Sequence, residues 1–184
     1  MKKKLLLAAL AAICICIAAY GTVAYFTADD TATNVITAGN IDIALKESAL
    51  AEDGETLIPF EDAIGVMPGT QVSKIVQVEN TGDHDAYVRV RVEKQSDLGE
   101  SADLALIGLD INTQDWVEKD GYYYYKQPLA AGETTQPLFT TVTFSEKMDN
   151  QYQNSQATIS VKAYAVQAEN NGSDVLLAAG WPEA

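Results

Sequence analysis

The chain has 184 residues and carries 26 acidic against 12 basic side chains, which gives a formal net charge of −14 at pH 7. An acidic surface of this size repels phosphate backbones and anionic lipids, so it argues against a nucleic-acid-binding protein and a peripheral membrane protein. Both cysteines, Cys14 and Cys16, lie within the first 24 residues, which excludes a disulfide framework elsewhere in the chain. The fold must therefore depend on a hydrophobic core, and the length suits one domain.

Residues 1–24 are typical of an export signal. The basic start, Lys2–Lys4, is followed by a run without charge from Leu5 to Phe26. The densest apolar part of this run, residues 5–19, is shorter than the roughly 20 residues that span a bilayer. The pattern therefore favours a cleaved signal peptide over an anchor.

Small residues mark the predicted cleavage site. Thr22 and Ala24 stand at the two positions that a signal peptidase reads, so we predict a cut before Tyr25. A cut after Gly21 is the second choice, and an uncleaved anchor is the alternative because the whole uncharged run is long enough to span. Cleavage would release a secreted chain to the extracellular matrix or the cell surface.

The remaining chain divides into three parts. Residues 25–38 are predicted to form a flexible N-terminal segment, residues 39–168 a β-domain, and residues 169–184 a C-terminal tail. Apolar and polar residues alternate with period two from Asn40 onward, and helical periodicity is nearly absent. The alternation is clearest in residues 40–46, 71–79, 86–94, 136–145 and 157–167. In residues 86–94 it points Val88, Val90 and Val92 toward the core and Tyr87, Arg89, Arg91 and Glu93 away from it.

Two of these strands carry a specific expectation about their faces. Lys74 interrupts the apolar face of residues 71–79, which leaves the register there open. In residues 136–145 the alternation predicts that Leu138, Thr140, Val142 and Phe144 share one face. About seven short strands separated by turn signals predict an all-β protein, a two-sheet antiparallel β-sandwich. Periodicity leaves jelly-roll and immunoglobulin-like topologies open.

Residues 116–125 predict a β-hairpin, because Asp120-Gly121 favours a type I′ turn between two strand-like runs. Its second strand holds four consecutive tyrosines, Tyr122, Tyr123, Tyr124 and Tyr125, two of which should face the core and two outward. Functionally they would form an aromatic surface for a glycan or a partner subunit. The alternative, which we favour, is tyrosine used for strand propensity and cross-strand packing.

Candidate catalytic residues are few. His84 is the one histidine and stands in a turn-like segment, whereas a zinc site needs several His or Cys ligands. Neither a paired-histidine motif nor a phosphate-binding glycine loop is present. We therefore predict no catalytic residue, no metal, no cofactor and no enzymatic activity.

Several segments resemble the TasA and camelysin family of secreted matrix proteins. The junction Gly21–Thr27 followed by Asn34–Ile43 is similar to the family's signal-peptide junction and first strand. Met67–Thr70 and Val78–Gly82, continued by Ala86–Val90, are similar to a second block of the family. The resemblance implies a jelly-roll-like sandwich, processing by a SipW-like signal peptidase, and assembly into matrix fibres on a Gram-positive-type cell surface.

The resemblance also implies an assembly element. Cleavage before Tyr25 would free residues 25–38 to add as a strand to an exposed sheet edge of the next copy, with Tyr25, Phe26, Val35 and Ile36 as pocket-filling side chains. The partners would be the chain itself or related matrix subunits. Three hypotheses follow: a structural matrix subunit, a glycan- or partner-binding accessory module, and a camelysin-like metalloendopeptidase.

Overall fold

The computed structural model describes residues 26–29, 34–37, 41–152 and 154–182, and it describes residues 26–29, 34–37, 64 and 65 by their backbone alone. These parts of the chain contain twelve strands and four single 3-10 turns. No helix within them is long and apolar enough to cross a membrane.

Short strands make up most of the described chain. In chain order they are β1 (Phe26–Asp29), β2 (Asn34–Thr37), β3 (Ile43–Leu50), β4 (Leu57–Pro59), β5 (Ala63–Val66), β6 (Gln71–Asn80), β7 (Ala86–Ser96), β8 (Ile107–Leu109), β9 (Trp116–Lys119), β10 (Tyr122–Tyr125), β11 (Phe139–Phe144) and β12 (Ser155–Gln167). The 3-10 turns span Gly99–Ser101, Leu104–Leu106, Asn150–Tyr152 and Val175–Leu177.

Two sheets form the domain. Sheet I has the order β5-β1-β12-β7-β10-β9, with β2 also paired to β12, and sheet II has the order β4-β3-β6-β11-β8. Neighbouring strands are antiparallel except that β1 and β2 run parallel to β12. The predicted all-β, two-sheet sandwich is confirmed, and the jelly-roll and immunoglobulin-like alternatives stay predictions.

The core lies between the two sheets. In sheet I the centre is the long pair β7 and β12, which runs in register from Ala157 opposite Ser96 to Gln167 opposite Ala86. The inward side chains Val88 and Val90 of β7 are fully buried, as their alternation predicts, and they pack in one cluster with Phe139 of sheet II. Each buried side chain of this size stabilises the fold by about 1.5–3 kcal/mol relative to exposure.

The predicted hairpin is confirmed. Strands β9 and β10 pair from Tyr122 opposite Lys119 to Tyr125 opposite Trp116. Both connecting residues have positive φ, 55° at Asp120 and 77° at Gly121, as a type I′ turn requires. The second of these positions suits glycine because it has no Cβ.

A β-bulge in β6 resolves the register at Lys74. Phe139 pairs with Val76 whereas Thr141 pairs with Ser73, so β6 has one residue more than β11 in this interval. As a result Lys74, Ile75 and Val76 are all buried. The ammonium group of Lys74 lies 3.1 Å from Glu47 Oε1, and the two side chains are 2% and 6% exposed.

The same irregularity overturns one prediction for β11. Alternation puts Thr140 on the same face as Leu138 and Val142, but these two are buried whereas Thr140 is exposed, and its neighbour Phe139 is fully buried. The register shift between Phe139 and Thr141 explains the error, because one extra residue in the partner strand breaks strict alternation. Thr140 instead contacts Asp110, which follows β8.

Asp110 accepts three hydrogen bonds from β11. The backbone N–H groups of Thr140 and Thr141 donate to Oδ1 at 2.9 and 2.7 Å, and the Thr140 hydroxyl donates to Oδ2. Partial burial alone would raise the pKa of Asp110, but these bonds outweigh it and lower the pKa below the ordinary 3.8.

We expect Asp110→Asn to lower the free energy of unfolding by about 1 kcal/mol at pH 7, a modest value because the site is solvent-exposed. Since the folded-state pKa is lowered, the stabilisation is present above pH 3.8 and is lost as the pH falls through the folded-state value. The difference between wild type and variant should therefore shrink in urea titrations below about pH 4. A difference independent of pH would contradict this account. Asp120→Asn, which keeps a turn-forming Asn-Gly pair, is the control.

The side chain of Asn80, at the end of β6, connects the turn between β6 and β7 to the loop that contains Leu129. The Asn80 side chain is fully buried, donates to the carbonyls of His84 and Leu129 at 2.8 and 3.0 Å, and accepts from the Gly82 N–H at 3.1 Å. A Cβ at Gly82 would meet the backbone nitrogen of Asp42 at 3.0 Å, so this close approach requires glycine. His84 itself is exposed in this turn, where the sequence placed it.

Residues 168–182 pack on the outer face of sheet I and form a second, smaller cluster there. Val175 is buried with Tyr87 and Tyr124. The Tyr87 hydroxyl donates to the Gly172 carbonyl at 2.8 Å, and Asn171 accepts from the Ala179 N–H at 2.9 Å. The tail therefore covers a sheet face that would otherwise expose apolar side chains.

Candidate functional site

The N-terminal strands β1 and β2 lie along one edge of β12. In β1 the register runs from Phe26 opposite Ser155 to Asp29 opposite Thr158, and in β2 from Asn34 opposite Lys162 to Thr37 opposite Ala165. The other edge of β12 is paired with β7 over residues 157–167. Strand β12 is therefore the host of this N-terminal segment within the same chain.

The two N-terminal strands differ in what covers their far side. Strand β1 also pairs with β5, through Phe26 opposite Val66 and Ala28 opposite Ala63. For β2 the one described partner strand is β12. Removing the segment would leave the backbone groups along this edge of β12 without their sheet partners, which is a template for another strand.

The predicted assembly residues fall partly within the described chain. Phe26 lies in β1, and Val35 and Ile36 lie in β2 opposite Ala163 and Tyr164. The structure thus brings Phe26, Val35 and Ile36 to one sheet edge. The cleavage residues Thr22, Ala24 and Tyr25 lie outside the described residues, so their roles stay predictions.

The four tyrosines of β10 divide between two faces, as alternation predicts. Tyr123 and Tyr125 pack against the main core, and the Tyr125 ring lies 5.1 Å from that of Trp116. Tyr122 and Tyr124 belong to the outer cluster. Tyr124 is 7% exposed, with its ring 5.6 Å from that of Trp181 in the tail. The outward tyrosines are therefore largely covered by the chain's own tail.

Arg89 is the centre of the outer cluster. Its guanidinium carbon lies 3.9 Å from the centre of the Tyr122 ring, 4.7 Å from that of Trp181 and 5.3 Å from that of Tyr164. It donates to the Tyr124 hydroxyl at 3.3 Å and to the Pro182 carbonyl at 3.0 Å. Stacking of a guanidinium on aromatic faces suits arginine better than lysine.

Arg91 is the more exposed neighbour of Arg89. Its Nε lies 2.8 Å from Glu93 Oε1, and its side chain is 39% exposed. A hydrogen bond with Tyr122, followed by the charge of Glu93, raises the pKa of Arg91. Burial, followed by the charge of Tyr122, raises the pKa of Tyr164, although both arginines oppose the rise.

The sequence pattern did not single out this cluster. It predicted that Tyr87, Arg89 and Arg91 point away from the core, which is correct. A side chain that points away from the core is normally exposed to solvent, but Tyr87 and Arg89 are not. Tyr87 is 2% and Arg89 9% exposed because the tail covers them. One signal was available: both arginines of the chain stand two residues apart on the same strand face.

Comparison with known families identifies the N-terminal half of the chain. The family described as camelysin metallo-endopeptidase matches residues 1–97 of the 184, which is more than half of the chain. The chain belongs to this camelysin family. No curated protein and no solved structure matches the chain.

The camelysin match covers the N-terminal segment and the strands as far as β7, so it includes the Asn80 side chain but not the host strand β12. The family description implies a metal. Within the part of the chain that the structure describes, no group of three or more His, Cys, Asp or Glu side chains is arranged to hold one. These residues do not fit a metal centre, and we derive no catalytic step from one.

Proposed function

We propose that this camelysin-family chain is an exported structural subunit of extracellular matrix or cell-surface fibres, joined by exchange of its N-terminal segment between copies. The observation that carries the proposal is the parallel pairing of β1 and β2 along β12. A segment that fills the β12 edge of its own chain can fill the same edge of another copy with the same hydrogen bonds. Such an exchange needs no new surface.

Repetition of this contact gives a filament. Each copy has one donor segment and one acceptor edge, so a copy that receives a segment from one neighbour can pass its own segment to another, and this heterologous contact extends into an open filament, whereas reciprocal exchange between two copies would close as a dimer. Cleavage before Tyr25 by a SipW-like signal peptidase would release the donor segment from the membrane. The chain would then be secreted and held at the cell surface by assembly with itself or with related matrix subunits.

A paired-cysteine variant tests the exchange directly. Ala28 and Ala157 are register partners, and adjacent strands lie about 4.8 Å apart, within the range of Cα separations that a disulfide spans. Residues 25–184 contain no cysteine, so Ala28→Cys with Ala157→Cys introduces the sole pair. We expect the oxidised variant to stay monomeric by size-exclusion chromatography and to form no filaments in electron micrographs, because its segment is locked in place.

The same variant has a second expected result. Reduced, it should form filaments, and oxidation after assembly should yield a ladder of covalent multimers on non-reducing gels, because the two introduced cysteines of each bond then belong to different copies. Each single-cysteine variant is a control that should assemble without the ladder. Filaments from the locked monomer, or no filaments from the reduced chain, would overturn the proposal.

The family description carries the second candidate, a peptidase. Cleavage of a protein substrate by purified residues 25–184, abolished by a chelator, would support it in place of a structural role. The glycan- or partner-binding alternative rests on the outer face of sheet I, where Arg89 and its aromatic neighbours lie.

A further inference from the structure

Four polar side chains form a square on the outer face of sheet I. Tyr164 of β12 stands opposite Arg89 of β7, and Lys162 stands opposite Arg91. Directly opposed residues on one sheet face have Cβ atoms about 4.5–5.5 Å apart, so these side chains are neighbours. Both arginines of the chain are thus gathered in one square with a lysine.

Two hydrogen-bond donors of this square, the Tyr164 hydroxyl and Arg89 Nε, are buried without an acceptor in the described part of the chain. Tyr164 is fully buried and Arg89 is 9% exposed. Among the described residues, neither the Tyr164 hydroxyl nor Arg89 Nε makes a hydrogen bond. A buried donor left unpaired is unfavourable, so an acceptor that reaches either group would be stabilised there.

The positive charge of the square favours binding of an anion. Arg89, Arg91 and Lys162 are opposed by Glu93, which pairs with Arg91 at 2.8 Å. This local excess of positive charge stands on a chain whose net charge is −14. At physiological ionic strength charges are screened beyond about 8 Å, so a small anion at the square is attracted by its neighbours more than it is repelled by the distant surface.

Aromatic rings lie beside the square, and they indicate which class of anion would bind there. Tyr122 and Trp181 are partly exposed, and the Arg89 guanidinium lies between their rings at 3.9 and 4.7 Å. Flat apolar faces beside a cation suit a ligand with a ring of C–H groups and a carboxylate. Guanidinium groups match carboxylates in geometry, and the tyrosine hydroxyl is a further donor.

We propose that this square, with Tyr122 as its wall, binds the carboxylate-bearing ring of an acidic sugar. Trp181 and Pro182 form the lid: the Pro182 carbonyl accepts from Arg89 at 3.0 Å, and the carboxylate of the sugar takes its place. The proposal deepens the glycan-binding alternative and does not depend on filament assembly, since its test uses monomer.

The test is a titration with trigalacturonate of the oxidised Ala28→Cys, Ala157→Cys variant of residues 25–184, which is expected to stay monomeric, followed by the indole N–H signals in NMR spectra. The chain has two tryptophans. Trp181 is in the proposed lid, whereas Trp116 is 1% exposed and donates to the Gln136 carbonyl at 3.0 Å, so it is an internal control. We expect a saturable shift of the Trp181 signal alone. The methyl ester of the sugar, which lacks the carboxylate charge, should produce none.

Two hydroxyl deletions separate binding from folding. Tyr164→Phe should weaken trigalacturonate binding about tenfold without lowering the thermal midpoint, because the lost hydroxyl has no partner in the free protein. Tyr87→Phe removes a hydroxyl that bonds to Gly172, so it should lower the midpoint and leave the affinity unchanged. The proposal would be overturned if the Trp181 signal does not shift, if the ester binds equally well, or if Tyr164→Phe keeps wild-type affinity. It would also be overturned by equal binding of triglutamate, which has carboxylates but no sugar ring.

Discussion

Lys74→Met is expected to lower the free energy of unfolding by about 3–5 kcal/mol. The variant keeps a long side chain but leaves Glu47 without the ammonium group that lies 3.1 Å away, and both side chains are almost fully buried. It also removes the cation that stands 3.8 Å from the centre of the Phe60 ring. The cost arises mainly from a carboxylate that has lost its counter-charge in a poorly solvated place.

Two further variants test this reading of the Lys74 site by urea unfolding. Glu47→Leu combined with Lys74→Met should recover most of the loss, because replacing both members of a buried pair by apolar groups is often neutral. Lys46→Met breaks a pair with Glu79 at 2.7 Å whose lysine is 47% exposed, and it should cost less than about 1 kcal/mol. Equal losses for Lys46→Met and Lys74→Met would show that burial does not set the cost.

Asn80→Asp is expected to cost a similar amount, about 3–5 kcal/mol. The substitution barely changes shape, but it replaces a group that donates to the His84 and Leu129 carbonyls by a carboxylate that faces them. A fully buried negative charge would then lie against two carbonyl oxygens. Because this block belongs to the camelysin match, the variant also tests whether the matched residues serve the fold.

The pH dependence of Asn80→Asp gives the check. At low pH the introduced acid is neutral and can donate one hydrogen bond, so the deficit relative to wild type should narrow as the pH falls in chemical unfolding experiments. Asn154→Asp changes an exposed turn residue and should leave stability within about 0.5 kcal/mol of wild type. A deficit at Asn80 that does not change with pH would rule out the buried charge as its cause.

The sequence pattern predicted those features of the fold that depend on residues close together in the chain. The alternation of β7 and β12 identified their buried faces, and Asp120-Gly121 identified the hairpin, because each depends on residues close in sequence. Lys74 showed that the register between Ser73 and Val76 was open, but the bulge itself was not predictable, since it depends on a partner strand that lies far along the chain.

The candidate sites were predictable to a smaller extent. The sequence placed Phe26, Val35 and Ile36 in a segment suited to strand addition, but not which strand would receive it. Parallel pairing with β12 depends on contacts between the two ends of the chain. The Arg89 cluster escaped the pattern for a related reason: period-two alternation distinguishes two faces of a strand but cannot show that a tail covers the outer one.

The position of β12 has a consequence for the order of folding during synthesis. It is the last of the described strands in the chain, yet it is the partner of β1, β2 and β7. Until residues 155–167 have been made, the camelysin-family half of the chain lacks the strand that completes sheet I. Contacts this distant in sequence form slowly. The topology therefore delays completion of sheet I until β12 has been made; for the exported subunit that we propose, this delay would leave the chain unfolded for passage through a membrane.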